Sequence, residues 1–273
     1  MPRGRTRRLL VTRVTGEPPS RNAARRPDDL IVEEPMTIQL DGERVATTMR
    51  TPGHDYELAV GFCVGEGLLG GQPVTGVRYG ADGSAVDSEF NVVTVETGGR
   101  APVPTPRLGN VSSSCGLCGS EQLDDLCARL APMPMPDVVD LDLIARIPER
   151  VRAEQSLFAT TGAVHGAAAF APDGRIVLVR EDVGRHNAVD KVVGALRLGT
   201  EPMAPDLGLY VSGRASIEMV QKAWAAGFGT LVAVSAPTAL AVDAARRANL
   251  VLAGFVRGDE FNVYSPERLP TPA

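Results

Sequence analysis

Short apolar runs and helical periods alternate along the second half of the chain, and few folds accommodate that alternation. Residues 185–198 place Val189, Val192, Val193 and Leu196 at i, i+3, i+4 and i+7, on one face of a helix. An apolar run follows at 207–211. A helical stretch at 216–226 then sets Ile217, Val220 and Trp224 on one side. Residues 231–234 read as a strand, 239–249 as a helix and 250–256 as a strand. Strand–helix–strand–helix–strand requires right-handed crossovers and a parallel sheet covered by helices. Gly199, Gly208, Gly213, Gly227 and Gly229 fall at or near the joints, where caps and turns belong. Upstream, residues 164–170 and 176–179 flank Asp173-Gly174 and read as a hairpin. The fold class is α/β.

The first half is less regular. Residues 36–40 and 44–49 flank Asp41-Gly42, a second hairpin signal. Residues 55–69 read as a helix with Leu58, Phe62 and Leu69 on one face, although glycines 61, 65 and 67 lower its propensity. Short strands are expected at 74–79 and 90–96. Residues 97–119 hold five Gly and three Pro and read as a long loop or linker. The expected division is a basic flexible arm at 1–27 and a smaller α+β lobe at 28–110. The CxxC loop and its helix follow at 111–130, then a larger α/β domain at 131–273.

Charge separates the arm from the body. Residues 1–26 carry eight Arg against Glu17, and the remainder has a net charge of −12. No aromatic residue lies among those arginines to stack on bases, so a solvated tail is expected and nucleic acid is not. After Arg7-Arg8 the apolar run is only Leu9-Leu10-Val11, short of the roughly seven residues that an export signal needs. No apolar run approaches the roughly 18 residues of a membrane span. Four cysteines are too few for a secreted disulfide scaffold of this length, so a cytoplasmic location is expected. Only two bases are lysines, Lys191 and Lys222, against 26 arginines.

Five segments have the residue types for chemistry. In Ser112–Ser114 followed by Cys115-Gly116-Leu117-Cys118-Gly119, two thiols lie three positions apart in a Gly/Ser loop. They can cycle as dithiol and disulfide, hold half a zinc site, or carry sulfane sulfur as a persulfide. Each use needs an accessible thiolate of lowered pKa. A helix over 121–130, with Ser120 as its cap, would favour that thiolate through its N-terminal amides. Cys127 and Cys63 read as core. Zinc needs four ligands and there is no second CxxC. His165, in Thr161-Gly-Ala-Val-His165, invites comparison with zinc deaminases, but the glutamate due two residues later is Ala167. The third segment, residues 180–191, gathers three carboxylates, three basic residues and His186 around a helix start. The fourth, Ser212-Gly213-Arg214-Ala215-Ser216, opens the helix that carries Lys222 and suits an anion, as does Ser235-Ala236-Pro237-Thr238. The fifth, Gly254 to Asn262, is a strand end with two aromatics, Arg257, Asp259 and Glu260. It is either a place to stack and bond a purine or an ordinary hairpin turn.

Together these segments resemble the formate dehydrogenase accessory sulfurtransferase (FdhD) family. The resemblance rests on Cys115-Gly-Leu-Cys118-Gly, Thr161-Gly-Ala-Val-His165, Glu181-Asp-Val-Gly-Arg-His186, Asp190-Lys191, Ser212-Gly-Arg-Ala-Ser216 and Glu218-Met-Val-Gln-Lys222. Ser235-Ala, Leu240-Ala-Val, Asn249-Leu and Gly254-Phe255 extend it over most of residues 30–269. It implies a sulfur carrier between a cysteine desulfurase and the molybdenum cofactor of formate dehydrogenase, bis(molybdopterin guanine dinucleotide). That cofactor is a bound client, and no permanent metal is expected. Cys115 would carry the persulfide, with Cys118 as auxiliary thiol. Phe255, Val256, Arg257, Gly258, Asp259 and Glu260 match the family's guanine-dinucleotide segment. Arg185, His186, Arg214 and Lys222 would meet the cofactor's phosphates. The resemblance further implies a homodimer, apo formate dehydrogenase as partner, and a cytidine-deaminase-like layered α/β/α domain with a smaller β-rich N-terminal lobe. A cofactor chaperone without sulfur transfer and a structural zinc protein are the competing readings.

Overall fold

A computed structural model of the chain describes residues 4–80, 90–103, 119–134, 140–199 and 207–266. The architecture is mixed α/β, with three sheets. Strands β1 (Thr6–Thr15) and β2 (Asn22–Ile31) pair antiparallel from Thr6↔Ile31 to Thr15↔Asn22. Most of the basic arm, expected as a loose tail ending at 27, is therefore a hairpin that continues through 31. Two features outweigh the arginine count. The β-branched and Leu-rich run 9–15 favours extended backbone. Pairing also places Arg8 opposite Asp29, in a two-pronged ion pair at 2.9 and 2.7 Å.

Strands β3 (Glu34–Leu40) and β4 (Glu43–Arg50) form the expected hairpin, with Asp41 and Gly42 both at positive φ. They join β5 (Gly76–Tyr79) and β6 (Val92–Glu96) in a four-stranded sheet of order β4-β3-β6-β5. Between these hairpins runs α1 (Asp55–Gly65), which stops four residues short of its expected end. Its glycines serve packing. A β-carbon at Gly61 would collide with the carbonyl of Asp190, and one at Gly194 with the carbonyl of Glu57. Each helix thus offers a glycine to the other's backbone, and α1 lies directly on the helix that carries Gly194.

Helices α2 (Gly119–Arg129), α3 (Leu141–Glu154) and α4 (Ser156–Thr161) come next. Neither α3 nor α4 was expected. Asp140 caps α3 by accepting from the Leu143 amide at 2.9 Å, and Ile144, Ile147 and Val151 bury one face. Pro148 and a charged exterior mask that period in the sequence. The chain continues through β7 (His165–Phe170), β8 (Ile176–Asp182), α5 (Arg185–Leu198), β9 (Gly208–Val211), α6 (Ile217–Ala226), β10 (Thr230–Ala233), α7 (Ala239–Ala248), β11 (Val251–Arg257) and β12 (Glu260–Ser265). The last six strands form one sheet of order β12-β11-β10-β9-β7-β8, in which β9, β10 and β11 run parallel as the alternation predicts. One apolar cluster extends from β3 and β6 through α1 to α5, α6, α7 and this sheet. A second, built on Ile144, Ile147 and Val151 of α3, covers the opposite face. Helices therefore lie on both faces, and both larger sheets share one core.

Candidate functional site

The registers bring the ends of six strands to one edge. His165 pairs with Asp182, Ala167 with Val211, Val211 with Ala233, and Arg257 with Glu260 at the turn that closes β11 and β12. Helices α5, α6 and α7 all start from this edge, at Gly184, Ser216 and Thr238. Helix N-termini at the carboxyl ends of parallel strands are where α/β folds gather ligands.

The Glu181 to Lys191 motif divides its labour here. Glu181 accepts from the amides of Leu157 and Phe158 at 2.9 and 2.8 Å and so holds the start of α4. Asp182 is fully buried, and its carboxylate accepts from the amides of Thr51 and Gly184, from Asn187 Nδ2, and from Lys191 Nζ at 2.6 Å. What is left uncommitted is Arg185 and His186. Arg185 Nε and His186 Nε2 are both buried without a hydrogen-bond partner among the described residues. Beside them lies Gly213, in the β9–α6 turn. A β-carbon there would rest 3.6 Å from Arg185 Cδ and 3.8 Å from the His165 ring. Arg214 is exposed at the same turn.

Burial, then the nearby charges of Arg185 and Lys222, pushes His186 down to about 4. The imidazole is neutral at pH 7 and offers a hydrogen bond rather than charge. Its ring is expected to titrate near pH 4 in an NMR titration of the folded protein, against 6.5 for an unperturbed histidine. In the unfolded chain the ring takes its proton near 6.5. Stability contributed by this group is therefore complete above that pH and lost as pH falls toward 4. A midpoint near 6.5 would contradict the buried placement.

Four expected site residues, Lys222, Val256, Gly258 and Asp259, are placed differently. Lys222 is 3% exposed, with Nζ 2.8 Å from Asp190 Oδ1 and 3.5 Å from Glu66 Oε1. Its charge is spent inside the protein, so it cannot also neutralise a surface phosphate. Val256 is fully buried in the α3-side core and presents no side chain to a ligand. Gly258 and Asp259 form a two-residue turn between paired Arg257 and Glu260, the ordinary hairpin alternative. Arg257, Gly258, Asp259 and Glu260 are all exposed there. Phe255 is 45% exposed, with a left-handed φ of 57° and its amide donating to Ser235 O at 3.3 Å. It is a non-glycine residue held in a conformation that costs energy, and its ring faces solvent at the site edge. Sequence reasoning gave no warning of that strain.

Cys115 and Cys118 lie outside the described residues. Cys63 is fully buried, and burial pushes its thiol up to about 12, as a core cysteine requires. Cys127 is half-buried against the same core. Among the described residues no helix is long and apolar enough to cross a membrane.

Residues 31–270 match the profile of the FdhD/NarQ family. Proteins called sulfur carrier protein FdhD are similar along most of their length. The one from Streptomyces avermitilis is 48% identical over 252 residues, covering 89% of each chain. The one from Streptomyces coelicolor is 48% identical over 250 residues, covering 88% of each. A crystal structure of a candidate formate dehydrogenase accessory protein from Desulfotalea psychrophila matches with a TM-score of 0.74. It covers 96% of this chain and 99% of that one at 22% identity, a likeness of fold.

Proposed function

The chain belongs to the FdhD/NarQ family, and from that premise we propose that it is a sulfur carrier serving formate dehydrogenase. It accepts sulfane sulfur from a cysteine desulfurase and delivers it to bis(molybdopterin guanine dinucleotide), the client cofactor. The observation that carries this reading is the 48% identity, over about nine-tenths of each chain, to proteins called sulfur carriers.

Chemically, the Cys115 thiolate attacks the terminal sulfur of the desulfurase persulfide. A new S–S bond forms on Cys115 as the old one breaks. The desulfurase cysteine leaves as thiolate, so no external oxidant is needed. Cys118, three positions on, is the auxiliary thiol. The client is rich in phosphate, and the sheet edge suits it. The half-buried Arg185 and His186 and the exposed charge of Arg214 meet phosphate oxygens at the α5 and α6 starts. The exposed Phe255 ring offers guanine a stacking face. Lys222 contributes by holding α6 to α1 and α5. We place the protein in the reducing cytoplasm, as a homodimer of cytidine-deaminase-like protomers.

The test is mass spectrometry of the intact chain after incubation with desulfurase and cysteine. A gain of one sulfur atom on Cys115, reversed by reductant, is expected. Sulfur appearing only on Cys63 or Cys127, or on no cysteine, overturns the proposal.

A further inference from the structure

A cavity of about 380 Å³ opens on the α3 side of the six-stranded sheet, lined by none of Arg185, Arg214 or Phe255. Its apolar walls are Val164, Val183, Val234 and the rings of Phe158 and Tyr210. Its polar lining comes from Gln155, Arg152, His165 and Ser212. Gln155, at the joint of α3 and α4, is 3% exposed, and its Nε2 is buried with no partner among the described residues. Its orientation is held by packing, since a β-carbon at Gly166 would collide with that amide. The start of α4 is already capped without it, because Glu181 takes the amides of Leu157 and Phe158. Arg152, exposed at the rim, lays its guanidinium 3.8 Å from the centroid of the Phe158 ring. The third is His165, which Ser212 orients. The Ser212 hydroxyl accepts from the Gly166 amide at 3.0 Å and shares a hydrogen bond of 3.3 Å with His165 Nδ1. Burial, followed by the charge of Arg185, keeps this ring neutral.

Gln155 Nε2 and the Arg152 guanidinium are donors, the second permanently charged, and among the described residues no carboxylate lines the cavity. A fully buried amide with no acceptor is a costly feature to retain without a use. The volume suits a ligand of one or two rings. We infer that this cavity binds a small organic oxyanion with a flat, apolar body. The anionic oxygens lie between Gln155 and Arg152, and the body rests against Phe158 and the three valines. A carboxylate and a phosphate monoester both supply that chemistry.

Ligand-observed NMR on the full chain tests it, with benzoate, phenyl phosphate and the uncharged benzamide as probes. At least one anion is expected to bind saturably below about 10 mM, with benzamide about tenfold weaker or more. Binding of benzoate alone identifies a carboxylate ligand, and of phenyl phosphate alone a phosphate ester. Gln155→Leu and Arg152→Gln are each expected to weaken binding about tenfold or more. Gln155→Leu should melt no lower than the parent, because it removes an unpaired buried amide. No saturable binding, equal binding of benzamide, or unchanged binding in either variant overturns the site.

Discussion

Replacing Cys115 with alanine is expected to reduce formate dehydrogenase activity to background in cells that depend on this chain for maturation. The same protein should keep its circular-dichroism spectrum and the guanine-nucleotide binding proposed above. Both halves of the prediction matter. Under the carrier reading, Cys115 is the atom that holds the cargo, and no other thiol can substitute. Cys63 is fully buried, and its thiol, pushed up to about 12, is almost entirely protonated at pH 7. Cys127 is half-buried on α2. Alkylation with iodoacetamide should accordingly label Cys115 fastest and leave Cys63 unmodified until the protein unfolds. Cys118→Ala should lower activity without abolishing it, since the transfer needs one nucleophile and the second thiol assists release. Full activity in Cys115→Ala would remove the persulfide step and favour a cofactor chaperone. Loss of nucleotide binding in the same variant would point instead to a structural thiol.

The sequence was most legible where one physical rule acted alone. The alternation after residue 185 predicts β9, α6, β10, α7 and β11, because parallel crossovers leave little choice. It was least legible where tertiary contact overrode local preference. Gly61 and Gly194 argue against helix by propensity, yet they allow α1 and α5 to meet backbone to backbone. Arginine density suggested a tail, while the register of β1 and β2 made a hairpin. Among site residues, chemical type alone misassigned Lys222. Charge in a motif at a helix start suits a phosphate, but burial against Asp190 suits a structural ion pair, and only the fold distinguishes them. A usable signal was present: both lysines of an arginine-based chain fall in the interior, where the compact ammonium fits beside a carboxylate. Gln155 had no sequence signal at all, because its interest lies in lacking a partner.

Much of what makes the 181–191 motif specific is therefore scaffolding, and its removal should be costly. Asp182→Asn is expected to destabilise the fold by about 3–5 kcal/mol in urea denaturation, because it leaves the Lys191 ammonium buried with little more than the Thr51 carbonyl. Lys191→Met removes the other partner and should cost less, since the Asp182 carboxylate keeps its bonds from Thr51, Gly184 and Asn187. The double variant should recover much of the loss and reveal coupling between the two sites. The pH dependence carries the mechanism. Burial already lowers Lys191 below 10.5, and Asp182 opposes that shift. Without the carboxylate, the folded lysine sheds its proton at still lower pH, while the unfolded chain holds one up to about 10.5. Between those values the unfolded state binds more protons, so the stability of Asp182→Asn must rise with pH. Its deficit relative to the parent should therefore shrink from pH 7 to pH 9. A deficit below about 1 kcal/mol, or one that does not change with pH, would show that the pair contributes shape rather than charge. The same substitution loosens the β8–α5 joint that aims Arg185 and His186. Nucleotide binding should weaken in Asp182→Asn and partly return in the double variant, linking the buried pair to the ligand edge it supports.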